Sequence, residues 1–167
     1  DKLGGANLHD FHAFTPTVAN IRPTSRGEIS ISSSDTKVNP KIKMNYLSTD
    51  EDRKVAADGI KLIRKIVMET NEFKKYEPEE FRPGSHLNDK EEIVKACSHY
   101  AQTIFHPVGT CKMGNDESAV VSDKLKVHGI NKLRVIDASI MPNITSGNTN
   151  APTIMIAEKG ADMILSA

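Results

Sequence analysis

At 167 residues, with 38% apolar and 26% charged content, the chain is long enough to bury a core and is not a disordered tail. Lys plus Arg and Asp plus Glu both number 22, so no net field draws it toward nucleic acid or an anionic membrane. The longest uncharged apolar stretch, around 151–157, is far short of the roughly 20 residues that cross a bilayer, so no transmembrane segment is expected, and no signal segment opens the chain.

Residues 1–10 are polar and glycine-containing and read as a loose lead-in. Residues 11–20 and 27–33 are strand-like, the second alternating through Glu28, Ile29, Ser30, Ile31 and Ser32. The turn at 23–26 between them predicts a hairpin with one wet face. A third strand is expected over 41–46. Ser48-Thr49-Asp50-Glu51 supplies a hydroxyl N-cap and an acidic first turn, so a helix starts there, with Ala56, Ile60, Ile63 and Val67 as its apolar stripe beside Leu62 and Ile66.

Residues 73–84, charged and carrying Pro78 and Pro83, read as an exposed connection that covers an entrance to a site. A second helix opens at Asn88-Asp89-Lys90-Glu91 and buries Ile93, Val94, Cys97 and residues 100–104. Beyond His106 the chain is turn-rich up to 133–136, a run without polar alternation that predicts a strand buried on both faces. Asn150-Ala151-Pro152 opens a last helix, with proline in the first turn, where its missing N–H is harmless. This helix is rich in Ala, Ile and Met on most sides and needs something large to pack against.

Two signatures stand in the C-terminal third: His106-Pro107-Val108-Gly109-Thr110-Cys111, and Leu133-Arg134-Val135-Ile136-Asp137-Ala138-Ser139-Ile140-Met141-Pro142 running into Thr145-Ser146-Gly147-Asn148-Thr149-Asn150-Ala151-Pro152-Thr153. Together they resemble the C-terminal end of the glucose-methanol-choline (GMC) oxidoreductases, FAD enzymes that oxidise alcohols, and the insect glucose dehydrogenase-like members in particular. The stretch from Arg22-Pro23 to Tyr46-Leu47 resembles the same family's substrate domain, and Gly5-Ala6-Asn7-Leu8-His9-Asp10 faintly resembles a segment of its flavin domain. No strand-linked Gly-x-Gly-x-x-Gly segment, the cradle of a dinucleotide pyrophosphate, occurs in the chain.

The resemblance implies an α+β fold: the antiparallel sheet of the GMC substrate domain with helices, plus a C-terminal strand and helix that complete a Rossmann-like FAD-binding domain. Residues 1–20 would be lead-in and first strand, 21–132 part of the substrate-binding domain, and 133–167 the C-terminal strand and helix of the FAD-binding domain. The N-terminal FAD-binding half would come from another segment or partner chain, making the assembled enzyme a heteromer or processed chain. Compartment stays open, with the resemblance leaning toward an extracellular or secretory setting.

Alcohol oxidation needs a base at the hydroxyl and an acceptor facing the carbon. His106 suits the base, since imidazole titrates near neutrality and Pro107 and Gly109 constrain the backbone around it. The resemblance makes His106 the family's catalytic histidine, a proton acceptor beside hydride transfer to flavin N5. It makes Asn148 a positioner of the alcohol oxygen by hydrogen bonding. It places Asp137, Ala138, Thr149, Asn150 and Pro152 against FAD, with the start of the last helix near the anionic end of the ring.

Plainer readings exist: a Gly-Asn turn for Asn148, and a strand-ending turn for Asp137 and Ala138. Members of the family also imply a Cys97–Cys111 disulfide, with two buried free thiols as the alternative. No metal is expected, because the spacing of Cys97, His99, His106 and Cys111 fits no common zinc pattern. Two other functions stay open: an FAD-containing hydroxynitrile lyase of the same fold, and a catalytically silent fragment that binds a partner chain. The identity of the small alcohol substrate and the electron acceptor is not legible in these residues.

Overall fold

The computed structural model describes residues 9–166. The faint flavin-domain resemblance and most of the predicted lead-in lie outside the described residues. Strands β1 (Glu28–Ser30) and β2 (Lys41–Lys43) are followed by helices α1 (Asp50–Glu69), α2 (Asn71–Lys74) and α3 (Lys90–Tyr100). A 3-10 turn at Ala138–Ile140 and helix α4 (Asn150–Leu165) complete the order. Residues 21–132 thus combine strands and helices, but their sheet has two strands rather than three.

β1 pairs antiparallel with β2, Ile29 opposite Ile42. The predicted pairing of 27–33 with 11–20 does not form, and 11–20 is irregular rather than a strand. Its apolar side chains are used against helices and loops instead: Val18 lies against Gly59 of α1, Phe14 stacks on Phe73 at 5.6 Å and Phe11 meets Phe81 at 5.3 Å. Alternation marks a segment as fit for a sheet, but here its side chains pack on helices and loops instead.

Helix α1 begins where cap chemistry predicts. Thr49 Oγ1 accepts from the Asp52 N–H, and the acidic first turn complements the helix dipole. Asp52 itself is buried and accepts from the backbone N–H groups of Thr24 and Ser25 and from the Asn20 amide, so the turn at 20–25 is wired to the start of α1. Burial opposes the ionisation of this carboxylate, but the hydrogen bonds from Ser25 and Thr24 outweigh it and hold the pKa below the usual value.

The stripe on α1 is shifted slightly from expectation. Ala57, Gly59 and Val67 are buried, Ala56, Ile60 and Ile63 half-buried, and Leu62 and Ile66 exposed. α1 packs on α3 through a cluster of Ala57, Ile93 and Cys97. α3 is capped by Asp89, which accepts from Glu91 N–H and Glu92 N–H, and it ends at Tyr100, leaving Tyr100 and Ile104 exposed.

The connection from α1 to α3 is more ordered than a free loop. It carries α2 and is held by Arg64, which donates to both Glu80 carboxylate oxygens at 2.9 and 3.0 Å and to the carbonyls of Leu87 and Gly84.

A second cluster, Val121, Leu125, Ile140, Met141 and Ile156, sits under the C-terminal third. The predicted strand 133–136 is not a sheet member. A single bridge joins Lys126 to Arg134, and Leu133 is exposed, because no parallel neighbour exists among the described residues. Helix α4 crosses this segment at Gly160, where an added Cβ would come within 2.5 Å of Ile136 Cγ2. A Gly160→Ala change should therefore cost about 1–3 kcal/mol by overpacking, despite alanine's better helix propensity. Urea unfolding would check this, and a neutral or stabilised variant would show that the helix can shift away from Ile136.

Candidate functional site

The loop after α3 turns sharply into His106. Phe105, immediately before it, has φ +63°, a left-handed conformation uncommon for a bulky residue, and its N–H donates to Thr103 Oγ1 at 2.9 Å. Gly109 has φ +91°, and a Cβ there would stand 3.4 Å from the Met141 carbonyl. Glycine is thus favoured by conformation, while a Cβ there would meet the neighbouring chain only at ordinary contact distance.

That neighbour is the 3-10 turn. Cys111 N–H donates to the Ser139 carbonyl at 3.0 Å and Met113 N–H to the Ile140 carbonyl at 2.8 Å, so the histidine loop and 137–141 are stitched side by side. Asp137 caps this turn, one carboxylate oxygen accepting from the Ser139 N–H at 2.8 Å and from the Ser139 hydroxyl. Its other oxygen takes no bond among the described residues. Ala138 is half-buried against the second cluster.

From the turn, 141–148 leads to α4. Arg26 reaches across from the turn before β1 and donates to Asn143 Oδ1 at 2.7 Å, tying that turn to this loop. Ser146, at φ +60°, is a second left-handed residue beside the site. Backbone strain of this kind gathers where a side chain must be held in one place.

Thr149 stands at the N-cap position of α4 and is buried, 7% exposed. Its hydroxyl does not cap the helix. It lies 2.9 Å from His106 Nδ1, and the Thr149 N–H donates to the same nitrogen at 3.3 Å. His106 is half-buried, and its Nε2 makes no bond among the described residues. Asn150 and Ala151, both exposed residues, begin the helix without a side-chain cap, while Pro152, half-buried, has no N–H to offer.

The folded chain therefore brings His106, Thr149 and the start of α4 together, with Asp137 and Ala138 on the adjoining turn. Asn148 is next to them in sequence, but its side chain is exposed and unbonded to His106. Sequence reading assigned Thr149 to the cofactor and did not foresee its bond to the histidine. The left-handed Phe105 and Ser146 and the Arg26 tie to Asn143 were also missed. A threonine just before a helix signals a cap, and nothing in the spacing says that its hydroxyl will turn elsewhere.

Both cysteines are free, Cys97 buried and Cys111 half-buried, so the disulfide is not formed. Burial pushes the Cys97 thiol up, which makes it a poor nucleophile. Asp116, on the turn after the histidine loop, is lowered to about 2 by the Ser118 hydroxyl and Lys112. Among the described residues, no three His, Cys, Asp or Glu side chains are gathered as they would be around a metal ion, and no helix is long and apolar enough to cross a membrane. A concavity of about 360 Å³ lined by Tyr46, Asp50, Arg53 and Lys90 shares no residue with the histidine site.

The sequence profile of the family described as GMC oxidoreductase matches residues 23–157. An oxygen-dependent choline dehydrogenase of Proteus mirabilis (strain HI4320) is 47% identical over 160 residues, which cover 96% of this chain and 29% of that protein. One from Acinetobacter baumannii (strain AYE) is 45% identical over the same shares. The chain thus spans 29% of the length of these curated relatives. Among solved structures, pyridoxine 4-oxidase from Mesorbium loti matches with a TM-score of 0.81 and 34% identity, covering 88% of this chain and 28% of that one. A formate oxidase of Aspergillus oryzae RIB40, studied for its FAD modification, matches with a TM-score of 0.81 and 32% identity over 93% of this chain and 29% of that one.

Proposed function

Since the chain belongs to the GMC oxidoreductase family, we propose that it is the substrate-domain and C-terminal part of an FAD-dependent enzyme that oxidises an alcohol to a carbonyl. The observation that carries this reading is the meeting of His106 with the start of α4: a half-buried imidazole with an unbonded Nε2 beside a helix start without a side-chain cap. Such a helix start suits the anionic end of a flavin, because its free N–H groups carry partial positive charge.

In this reading FAD, when bound, supplies the acceptor for the hydride that leaves the alcohol carbon. His106 takes the hydroxyl proton at Nε2. Asn148, exposed beside it, orients the oxygen, a role that needs its amide to turn toward the substrate. Asn150 and Ala151 present N–H groups toward the cofactor, with Pro152 fixing the turn. The unused Asp137 oxygen is available to a ribityl hydroxyl, and the small Ala138 side chain leaves the backbone accessible. Thr149, whose hydroxyl is engaged by His106, contributes to the cofactor's surroundings by setting where the helix begins.

The same reading takes residues 1–20 as lead-in, 21–132 as substrate-binding domain and 133–167 as the strand and helix that complete a Rossmann-like FAD-binding domain. It is supported by the sheetless segment 133–136, exposed at Leu133 and half-buried over 134–136, and by the exposed Ile154, Met155, Ile164 and Leu165 of α4, which suit cover by an N-terminal FAD-binding segment or chain.

Relatives named choline dehydrogenases make choline the first small alcohol to test. In the assembled, flavin-loaded protein without oxygen, choline or another primary alcohol should bleach the visible flavin absorbance and yield the aldehyde. A flavin that stays oxidised with every alcohol while a cyanohydrin is cleaved would replace this reading with hydroxynitrile lyase. An assembled protein that holds no flavin would leave a catalytically silent fragment.

A further inference from the structure

Arg134 is half-buried, and its Nε is closed off from solvent with no hydrogen-bond partner among the described residues. A guanidinium keeps its charge, so a buried N–H of this kind calls for an acceptor. The chain around it makes the demand stronger. Val127 N–H donates to the Leu133 carbonyl at 3.0 Å and Val135 N–H to the Leu125 carbonyl at 3.1 Å, which sets Lys126 directly opposite Arg134. In such an antiparallel pair the two side chains leave the same face close together, and like charges so placed repel. The ion pairs of the described residues, from Lys43–Glu28 to Lys124–Asp123, include neither cation.

The same two backbone bonds occupy only one edge of 133–136. Backbone groups alternate in direction along an extended segment, so the N–H and carbonyl of Arg134 point to the opposite edge, where no backbone bond reaches them among the described residues. Ile136, two residues on and therefore on the same face as Arg134, packs against α4 at Gly160. The segment thus presents a free strand edge and, on its α4 side, a cation without a counter-charge.

We propose that Arg134 is the polar anchor between this chain and the FAD-binding part of the enzyme. A strand of that part pairs with the free edge of 133–136 and carries an aspartate or glutamate, whose carboxylate accepts from the Arg134 Nε–H and the adjoining Nη–H. The inference rests on the reading of the chain as the C-terminal part of an FAD-dependent oxidoreductase, and it names the chemistry of the surface that meets it. The chain spans 29% of the length of its curated relatives, so such a strand has a source. Covering this edge takes the rest of the guanidinium out of water, and a buried cation is tolerated only when paired. A backbone carbonyl would satisfy Nε but leave Lys126 and Arg134 uncompensated, whereas a carboxylate answers both the charge and the planar fork. Cross-strand neighbours share a face, so the acid stands on the α4 side, beside Arg134.

The test starts from a crystal structure of the assembled, flavin-loaded protein, in which a carboxylate oxygen should lie within about 3.2 Å of Arg134 Nε. Arg134→Met, replacement of that acid by its amide, and the two changes together then form a cycle. Each single change strands the other charge and should speed flavin release in mild urea on the order of tenfold or more. The double change should cost far less than the product of the two, because neither charge is left alone. A backbone carbonyl, a flavin phosphate, a second copy of this chain or solvent at Nε would overturn the proposal while the enzyme keeps its flavin. Single changes without effect, or effects that simply multiply, would overturn it as well. An assembled protein that holds no flavin would instead overturn the reading of the enzyme, and this proposal with it.

Discussion

His106→Gln in the assembled, flavin-loaded protein should lower kcat by roughly 100- to 10,000-fold, the span expected when a positioned general base is removed. Glutamine is polar and close in reach, but its amide cannot take a proton near neutral pH. The fold has little reason to suffer. His106 is half-buried in a loop fixed mainly by backbone bonds from Cys111 and Met113 to the 3-10 turn, and these do not involve the ring. Steady-state kinetics with choline or the best alcohol found, alongside flavin content and melting temperature, separates chemistry from folding. Wild-type kcat would remove the base assignment. A collapse in flavin content would show that the histidine shapes the cofactor's surroundings instead.

The second large effect is on stability. Arg64→Ala should destabilise the chain by about 3–5 kcal/mol, the range seen when one member of a buried ion pair is removed. The side chains of Arg64 and Glu80 are only 17% and 11% exposed, and both carboxylate oxygens are bonded by the guanidinium. Removing Arg64 leaves the Glu80 charge without its cationic partner and takes a donor from the Leu87 and Gly84 carbonyls, although the Gly84 carbonyl keeps the Leu87 N–H. Lysine should not rescue it, since a single ammonium cannot reproduce the planar fork. Chemical denaturation of the assembled protein would report the loss. A cost below about 1 kcal/mol, typical of an exposed pair, would show that water replaces the clamp readily.

How far the sequence reveals this molecule depends on whether a feature is decided locally. The starts of α1 and α3 were legible because Thr49 and Asp89 place their oxygens on N–H groups two or three residues ahead. The start of α4 was legible from Pro152 in its first turn, although its cap position is occupied by a residue bonded elsewhere. That 11–20 and 133–136 form no strand was not legible, since alternation or an apolar run says that a segment is fit for a sheet and not that a neighbour is there to pair with it. Likewise the motifs identified His106, whereas the Thr149 contact comes from a fold that brings two loops together. The shift along α1, with Gly59 buried and Leu62 exposed, has the same origin, because Val18 settles where only a glycine leaves room.

The two hydrophobic clusters are drawn from separate lengths of chain, one from Leu47 to Cys97 and the other from Val108 to Met163, with no side chain in common. Each can therefore collapse on contacts near in sequence, with low loop-closure cost, before the Arg26 bond to Asn143 joins them. The arrangement also divides evolutionary freedom. Substitutions that reshape α1, α3 and the connection between them are absorbed within their own cluster, while the histidine loop, the 3-10 turn and the start of α4 rest on the other. One cluster can vary while the other keeps the geometry around His106 unchanged.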